Sequence, residues 1–314
     1  MKIAATQPQS WSKQRRKYKK YLILGGLVAG MLLNPFDAFA QVLFVNDLVG
    51  GNIYSYTTSG TRSTFAAGVG NPAALVFDSA GDLYESDIMS GNITEYKTNG
   101  FTSVIGNVGE AFGMAFDGEG NLFVSSQTGG DIVKFSTNGT SSVFASGLGY
   151  LRGLAFNGEG DLFVADDIGG NIYELTPGGT RSTFATGIGN PSGLAFNSEG
   201  DLFVASENGN IYSYTPGGIR STFASGLNAP WDLAFDSAGN LFESDNGNGY
   251  PGGANIYEYT PGGVQSTFAT GLYDPNGLAF QGVVLPVPEP SAYAIFVMGL
   301  GVVALAVSYR RRRV

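Results

Sequence analysis

Three carboxylates and two aromatic rings crowd one short stretch of this chain: Trp231 and Asp232, then Glu243, Asp245 and Tyr250, with Tyr273 and Asp274 not far beyond. Carboxylate oxygens are hard donors, so Asp232, Glu243 and Asp245 could together hold a calcium ion, whose oxygen ligands sit at about 2.3–2.6 Å. The same oxygens could instead accept hydrogen bonds from sugar hydroxyls, with Trp231 and Tyr250 offering stacking surface. Either chemistry requires these side chains to converge. The chain has no His and no Cys. That removes the usual general base, any Ser-His-Asp triad, thiolate metal sites and disulfides.

These residues stand out because they interrupt a repeat. The motif Gly-(Asp/Asn)-Leu-(Phe/Tyr) starts at Gly81, Gly120, Gly160, Gly200 and Gly239, and Gln41 holds the same place ahead of Val42-Leu43-Phe44, giving spacings of 40, 39, 40, 40 and 39. A period of about forty residues predicts propeller blades. In the copy from Asn190 to Gly226, four short apolar runs occur: Gly193 to Phe196, Leu202 to Ala205, Asn210 to Tyr214 and Ser221 to Ala224. None is long enough for a helix. Turn chemistry separates them, with Asn197-Ser198-Glu199-Gly200 after the first and Thr215-Pro216-Gly217-Gly218 after the third, so the runs read as hairpins in series. The first two runs are apolar at successive positions, as suits strands covered on both faces, whereas the fourth is rich in Ser and Thr. The first run should therefore be innermost and the fourth outermost.

The two ends of the repeat region complement each other. First runs end at Phe77, Phe116, Phe156, Phe196, Phe235 and Phe280, and second runs begin at Leu43, Leu83, Leu122, Leu162, Leu202 and Leu241, six of each. The opening repeat lacks a first run, and the run at 276–280 lacks the other three. An all-β, six-bladed β-propeller of four-stranded antiparallel blades follows, its first blade closed by pairing 276–280 with 43–47. Closure pairs the strands that would otherwise be left unpaired at the two ends of the repeat region, where exposed edges invite aggregation.

Against this frame the departures can be placed. The third residue of the second run is Val45, Val124, Val164 and Val204 in four copies but Glu85 and Glu243 in the others. In the first run, Ala74, Gly113, Gly153, Gly193 and Gly277 correspond to Asp232 in the sixth copy, and that copy alone carries five extra residues between Asp245 and Asn255. Folding the hairpin about Ser237-Ala238 should bring Asp232 across from Glu243. Loops joining second to third runs share a face with those leading into first runs, so the insertion, Trp231, Tyr273 and Asp274 should meet at one mouth of the ring. The expected ligand site there comprises Trp231, Asp232, Glu243, Asp245, Tyr250, Tyr273 and Asp274.

Both termini carry addresses rather than blades. Seven basic residues between Lys2 and Lys20, the apolar run Tyr21 to Leu33 and the small residues of Ala38-Phe39-Ala40 read as a signal peptide spanning 1–40, cut before Gln41 by signal peptidase. After the propeller, assigned to 41–285, come Pro288-Glu289-Pro290, an uncharged stretch expected to form a transmembrane helix over 292–308, and Arg310, Arg311, Arg312 and Arg313. The segment 286–314 resembles the PEP-CTERM sorting signal. That resemblance implies export, transient membrane association through the C-terminal helix, and recognition by an exosortase near Pro288-Glu289-Pro290 in a Gram-negative bacterium that makes exopolysaccharide. The Arg cluster should stay on the cytoplasmic side.

Between the termini, 24 acidic residues face six basic ones, a net charge of −18 that repels nucleic acid. The pattern Pro-x-Gly-Leu-Ala-Phe through Gly-Asn-Ile-Tyr, at Pro191 to Tyr212, resembles NHL-type and gluconolactonase-like six-bladed propellers and, more loosely, the streptogramin lyases. The gluconolactonase resemblance implies a divalent metal held by Glu, Asn and Asp at the central mouth. The lyase resemblance implies a catalytic His, which this chain lacks. The expected function is that of an exported, noncatalytic surface or matrix propeller binding a glycan, exopolysaccharide, peptide or surface protein. The alternative is a divalent-metal-dependent, lactonase-like hydrolase at the propeller mouth.

Overall fold

The fold was analysed in a computed structural model that describes residues 41–247 and 252–282. The expected signal peptide, transmembrane helix, Pro-Glu-Pro motif and Arg cluster lie outside the described residues, as does Tyr250. Among the described residues no helix is long and apolar enough to cross a membrane. Twenty-four strands, β1 to β24 in chain order, form six four-stranded antiparallel sheets.

Blade 1 contains β24 (Pro275–Gln281), β1 (Val42–Asp47), β2 (Asn52–Tyr56) and β3 (Arg62–Ala67), in that spatial order. The closing strand therefore pairs as the repeat accounting requires, with Leu43 opposite Phe280 and Val45 opposite Leu278. The innermost strands of blades 2 to 6 are β4 (Pro72–Phe77), β8 (Ala111–Phe116), β12 (Leu151–Phe156), β16 (Pro191–Phe196) and β20 (Pro230–Phe235). Several begin with Pro, which an edge strand tolerates at its first residue because no ladder hydrogen bond is lost there. The second strands of blades 2 to 6 are β5 (Leu83–Asp87), β9 (Leu122–Ser126), β13 (Leu162–Asp166), β17 (Leu202–Ser206) and β21 (Leu241–Asp245). Each is buried along its whole length. The outermost strands are the most exposed, as in the burial pattern of Arg62–Ala67.

One contact recurs at every boundary between blades. The aromatic ring that follows the buried Leu of each second strand meets, edge to face, the Phe at or next to the end of the next blade's innermost strand. Phe44 meets Phe77 at 5.0 Å, Tyr84 meets Phe116 at 5.1 Å and Phe123 meets Phe156 at 5.1 Å. Phe163 meets Phe196 at 5.0 Å, Phe203 meets Phe235 at 5.1 Å, and Phe242 meets Phe280 at 4.9 Å, which joins blade 6 to blade 1. The six boundaries thus form one continuous ring of aromatic contacts. Between these boundaries, Ile53, Ile93, Ile132, Ile172, Ile211 and Ile256 are all fully buried at equivalent places in the third strands.

Around the axis the innermost strands approach so closely that a side chain would obstruct them. A Cβ on Gly113 would overlap the carbonyl oxygen of Arg152, one on Gly153 that of Ser192, and one on Gly193 would lie 2.6 Å from the Trp231 carbonyl oxygen. Replacing Gly113 or Gly153 by Ala should therefore overpack the axis and cost about 1–3 kcal/mol. Gly118, in a turn with nothing within 4 Å of a new Cβ, should tolerate Ala within about 0.5 kcal/mol. Urea melting of the three variants checks this, and equal midpoints would contradict it.

Candidate functional site at the channel mouth

The mouth is built by fastening two sets of loops together, blade by blade. The first residue after each second strand donates its backbone N–H to the carbonyl of the residue just before the innermost strand of the same blade. The six bonds are Leu48 to Asp274, Ile88 to Asn71, Gln127 to Glu110, Asp167 to Tyr150, Glu207 to Asn190 and Asn246 to Ala229, at 2.9–3.3 Å. Carboxylates at the strand ends reinforce them. Asp47 accepts from the N–H groups of Gly50, Tyr273 and Asp274, Asp87 from those of Asn71, Met89 and Ser90, and Asp166 from those of Tyr150 and Gly169. Three non-Gly residues in this rim, Glu110, Asn190 and Ala229, hold φ values of 53°, 48° and 58°. Such left-handed backbone persists where surrounding bonds over-determine it.

At the second residue of each innermost strand, next to that rim, the repeats diverge: Ala73, Phe112, Arg152, Ser192, Trp231 and Asn276. Phe112 and Trp231 come from blades 3 and 6, on opposite sides of the ring. Their rings stack across the opening, centroids 6.0 Å apart and planes 26° from parallel. Arg152 caps both, its guanidinium carbon 4.3 Å from the Trp231 centroid and 5.6 Å from that of Phe112. Two carboxylates fix the guanidinium: Asp167 at 3.0 Å and Glu207, which pairs with the other terminal nitrogen. Asn190 in turn donates to Asp167 at 2.9 Å. Phe112 and Trp231 also line a cavity of about 110 Å³, walled besides by the glycine-rich ring, by Leu or Met side chains, and by Asp232 and Asn276.

The sequence-derived site is partly assembled and partly dispersed. Trp231 is at the mouth, and Tyr273 and Asp274 lie in the rim, Tyr273 exposed and Asp274 half-buried. Burial and the neighbouring Asp47 charge push the Asp274 carboxyl up. Asp232 does not face Glu243. An irregularity in β20 between Pro230 and Leu233 places Leu233 opposite Glu243, while the backbone N–H of Asp232 donates to the Ser244 hydroxyl at 3.0 Å. The Asp232 carboxylate accepts from Leu278 N–H of blade 1 at 2.8 Å and from its neighbour Leu233 N–H at 2.9 Å. It thus fills the seam that glycine leaves elsewhere, and burial, partly offset by these bonds, raises it to about 6.

Glu243 is fully buried, and neither of its oxygens finds a partner among the described residues. Its register partners Leu233 and Tyr257 pack on Phe203 and Ala205 of blade 5, so paired residues on that face carry Glu243 into the boundary between blades 5 and 6. Asp245 is a fastener like Asp47, Asp87 and Asp166, accepting from Asn228 N–H at 2.8 Å and Gly247 N–H at 2.9 Å. Burial raises it, and those two bonds oppose the rise. Among the described residues no three Asp or Glu side chains converge as a metal site. The expectation that Asp232, Glu243 and Asp245 share a calcium ion is therefore corrected: the strand irregularity turns the first two toward different neighbouring blades, and backbone amides engage the third.

Sequence reasoning missed Phe112, Arg152, Asp167, Asn190 and Glu207. A signal was available, because Arg152 is one of only six basic residues in the propeller and occupies a first run otherwise free of positive charge.

Comparison with known proteins supports this architecture. Residues 286–313 match the PEP-CTERM protein-sorting motif, a signal for export with membrane-associated processing by exosortase. The fold is similar to a chain of a nidogen/laminin complex (TM-score 0.67, 18% identity, covering 77% of this chain and 98% of that one). It is also similar to a streptogramin B lyase (TM-score 0.62, 15% identity, 76% and 83% covered). A gluconolactonase from Xanthomonas campestris aligns with a TM-score of 0.60 at 16% identity over 65% of this chain and 79% of its own. No curated protein sequence matches. At these identities the likeness establishes a shared fold.

The two buried glutamates generate a stability prediction. Burial, and then the Asp87 charge, push Glu85 from an ordinary value of 4.5 up to about 8. Burial, then Asp245, hold Glu243 well above the usual carboxylate range. The folded state therefore keeps protons that the unfolded chain releases, so these groups favour folding fully below about pH 4.5 and progressively less as pH rises through about 8. Substituting Val, as in the other four blades, should raise Tm at pH 8 by about 5–10 °C in Glu85→Val/Glu243→Val and by much less at pH 5. A pH-independent gain in thermal melts would show that the carboxyls are not protonated in the fold.

Proposed function

We propose that this chain is an exported, exosortase-processed propeller that holds a glycan, peptide or partner protein at its channel mouth without transforming it. The observation that carries this reading is the contrast between conserved spacing in the blades and six different residues at one structurally equivalent mouth position, Ala73, Phe112, Arg152, Ser192, Trp231 and Asn276. Repeats that only build a ring have no reason to diverge there. An aromatic pair, an arginine and flanking carboxylates supply stacking surface and hydrogen-bonding groups of both signs. The domain division follows the same logic: 1–40 as signal peptide, 41–285 as propeller, and 286–314 as a removable membrane-retained tail, leaving the ring at the cell surface or in the extracellular matrix of a Gram-negative bacterium. Exopolysaccharide is a partner of suitable chemistry. The acidic propeller, with 24 acidic and six basic residues, disfavours nucleic acid. A lactonase-like reading lacks support from the donor set, since Asp232, Glu243 and Asp245 do not meet.

Mass spectrometry of the released protein should give a chain starting at Gln41 and ending near Pro288. Retention of Arg310 to Arg313 on released protein would overturn the processing. Binding to extracellular polysaccharide from the producing cells should weaken at least tenfold in Trp231→Ala and Arg152→Ala, about the loss of one well-formed contact of 1.4 kcal/mol. Binding unaffected by both substitutions would remove the mouth from consideration. A sugar lactone should not be hydrolysed above the buffer rate with or without added calcium.

A further inference from the structure

Two Asn residues of this chain stand two positions ahead of a Thr with a residue other than Pro between them, Asn92-Ile93-Thr94 and Asn138-Gly139-Thr140. In an exported protein that pattern marks an acceptor for N-linked sugar where it lies in an accessible loop. The fold separates the two. Asn92 opens the third strand of blade 2, where it pairs with Asn107 and its Oδ1 accepts from Asn107 Nδ2 at 3.0 Å. Thr94 stands in the same ladder, opposite Val104. Lifting that segment to a transferase would break ladder hydrogen bonds.

Asn138 has the opposite setting. It lies in the turn between β10 (Asp131–Phe135) and β11 (Ser141–Ala145) of blade 3, and Thr137, Asn138, Gly139 and Thr140 are all exposed. Gly139 holds a φ of 82°, and a Cβ there would meet nothing within 4 Å, so the tip projects into open space. Within the turn, Asn138 Oδ1 accepts from the Thr140 N–H at 3.0 Å and from the Thr140 hydroxyl at 2.7 Å. Both bonds fall on the oxygen, so neither engages Nδ2, the atom that would carry the sugar. Hydrogen bonds to Oδ1 also make the Nδ2 protons more acidic, which helps an otherwise unreactive amide nitrogen to act as a nucleophile. Blade 2 supplies an internal comparison. Its corresponding turn, Asn99-Gly100-Phe101, repeats the bond from the Phe101 N–H to Asn99 Oδ1 at 3.0 Å, but Phe101 has no hydroxyl to add.

From these features we propose that Asn138 is an N-glycosylation site, taking a saccharide from a polyprenyl diphosphate donor outside the cytoplasm. Nδ2 attacks the anomeric carbon, the bond from that carbon to the diphosphate oxygen breaks, the diphosphate leaves with the electron pair, and Nδ2 releases one proton. Turns between third and fourth strands project from the face opposite the mouth, because successive strands of each blade are antiparallel. A sugar there leaves the mouth open, and the site stands whether or not the mouth binds a ligand.

Trypsin cuts after Arg62, Lys97, Lys134 and Arg152, which places Asn92, Asn99 and Asn138 on three separate peptides, 63–97, 98–134 and 135–152. Mass spectrometry of protein released by the producing cells should find the 135–152 peptide heavier by whole sugar units and the other two at their unmodified masses. Asn138→Gln and Thr140→Ala should remove the increment, whereas Thr140→Ser, which keeps the hydroxyl, should retain it. All three variants should melt with the wild type, since they alter an exposed turn. Asn138→Gln should also leave polysaccharide binding unchanged. Asn138 recovered bare or deamidated, sugar on Asn92 or Asn99 at equal occupancy, or an increment that survives Thr140→Ala overturns the assignment, even if polysaccharide still binds at the mouth.

Discussion

The edge-to-face contact between an aromatic ring on one blade's second strand and the terminal Phe of the next blade's innermost strand is the constraint on which the molecule depends. A four-stranded sheet buries little on its own, and each blade is completed only by its neighbours. Six equivalent contacts at 4.9–5.1 Å set a common distance and tilt between blades. Each such pair contributes about 0.5–1.5 kcal/mol beyond area burial. The last of them, Phe242 with Phe280, works only because β24 returns to pair with β1. Chain closure and blade packing are thus one interaction.

A fixed distance between blades also fixes the axis. With six blades the innermost strands crowd each other until glycine is required in most of them, and the one carboxylate admitted, Asp232, must find backbone amides to satisfy it. One position earlier in three of the same strands stand the larger Phe112, Arg152 and Trp231. Phe112 and Trp231 can reach each other from opposite blades because the opening is narrow, and Arg152 can cover both because two loop carboxylates neutralise it. The mouth is therefore narrow enough to be closed by three side chains and variable enough to be specific.

Glu85 and Glu243 show how tolerant the boundary between blades is. Both replace a valine, both are almost fully buried, and Glu243 has no partner for either oxygen among the described residues. A buried ionised carboxylate is costly, so burial pushes both carboxyls toward the neutral form. The ring persists because the aromatic and aliphatic contacts on either side of each glutamate are retained, as with Leu233 and Tyr257 around Glu243.

Blade number, the closing strand and the inner-to-outer order of strands were all determined by the sequence, because they follow from repeat spacing and from the alternation of apolar and polar residues along each run. So was the sorting motif at the C-terminus, which is a local pattern of residue types. The direction of individual side chains was not. One extra residue in β20 shifts the pairing so that Leu233 rather than Asp232 opposes Glu243, and a one-residue slip exchanges the two faces of a strand. Nor could linear spacing reveal that Phe112, Arg152 and Trp231 meet, since they lie in different repeats and are joined only by the curvature of the ring. Repetition along the chain specifies the scaffold, whereas the mouth depends on distances across the axis, which exist only once the ring has closed.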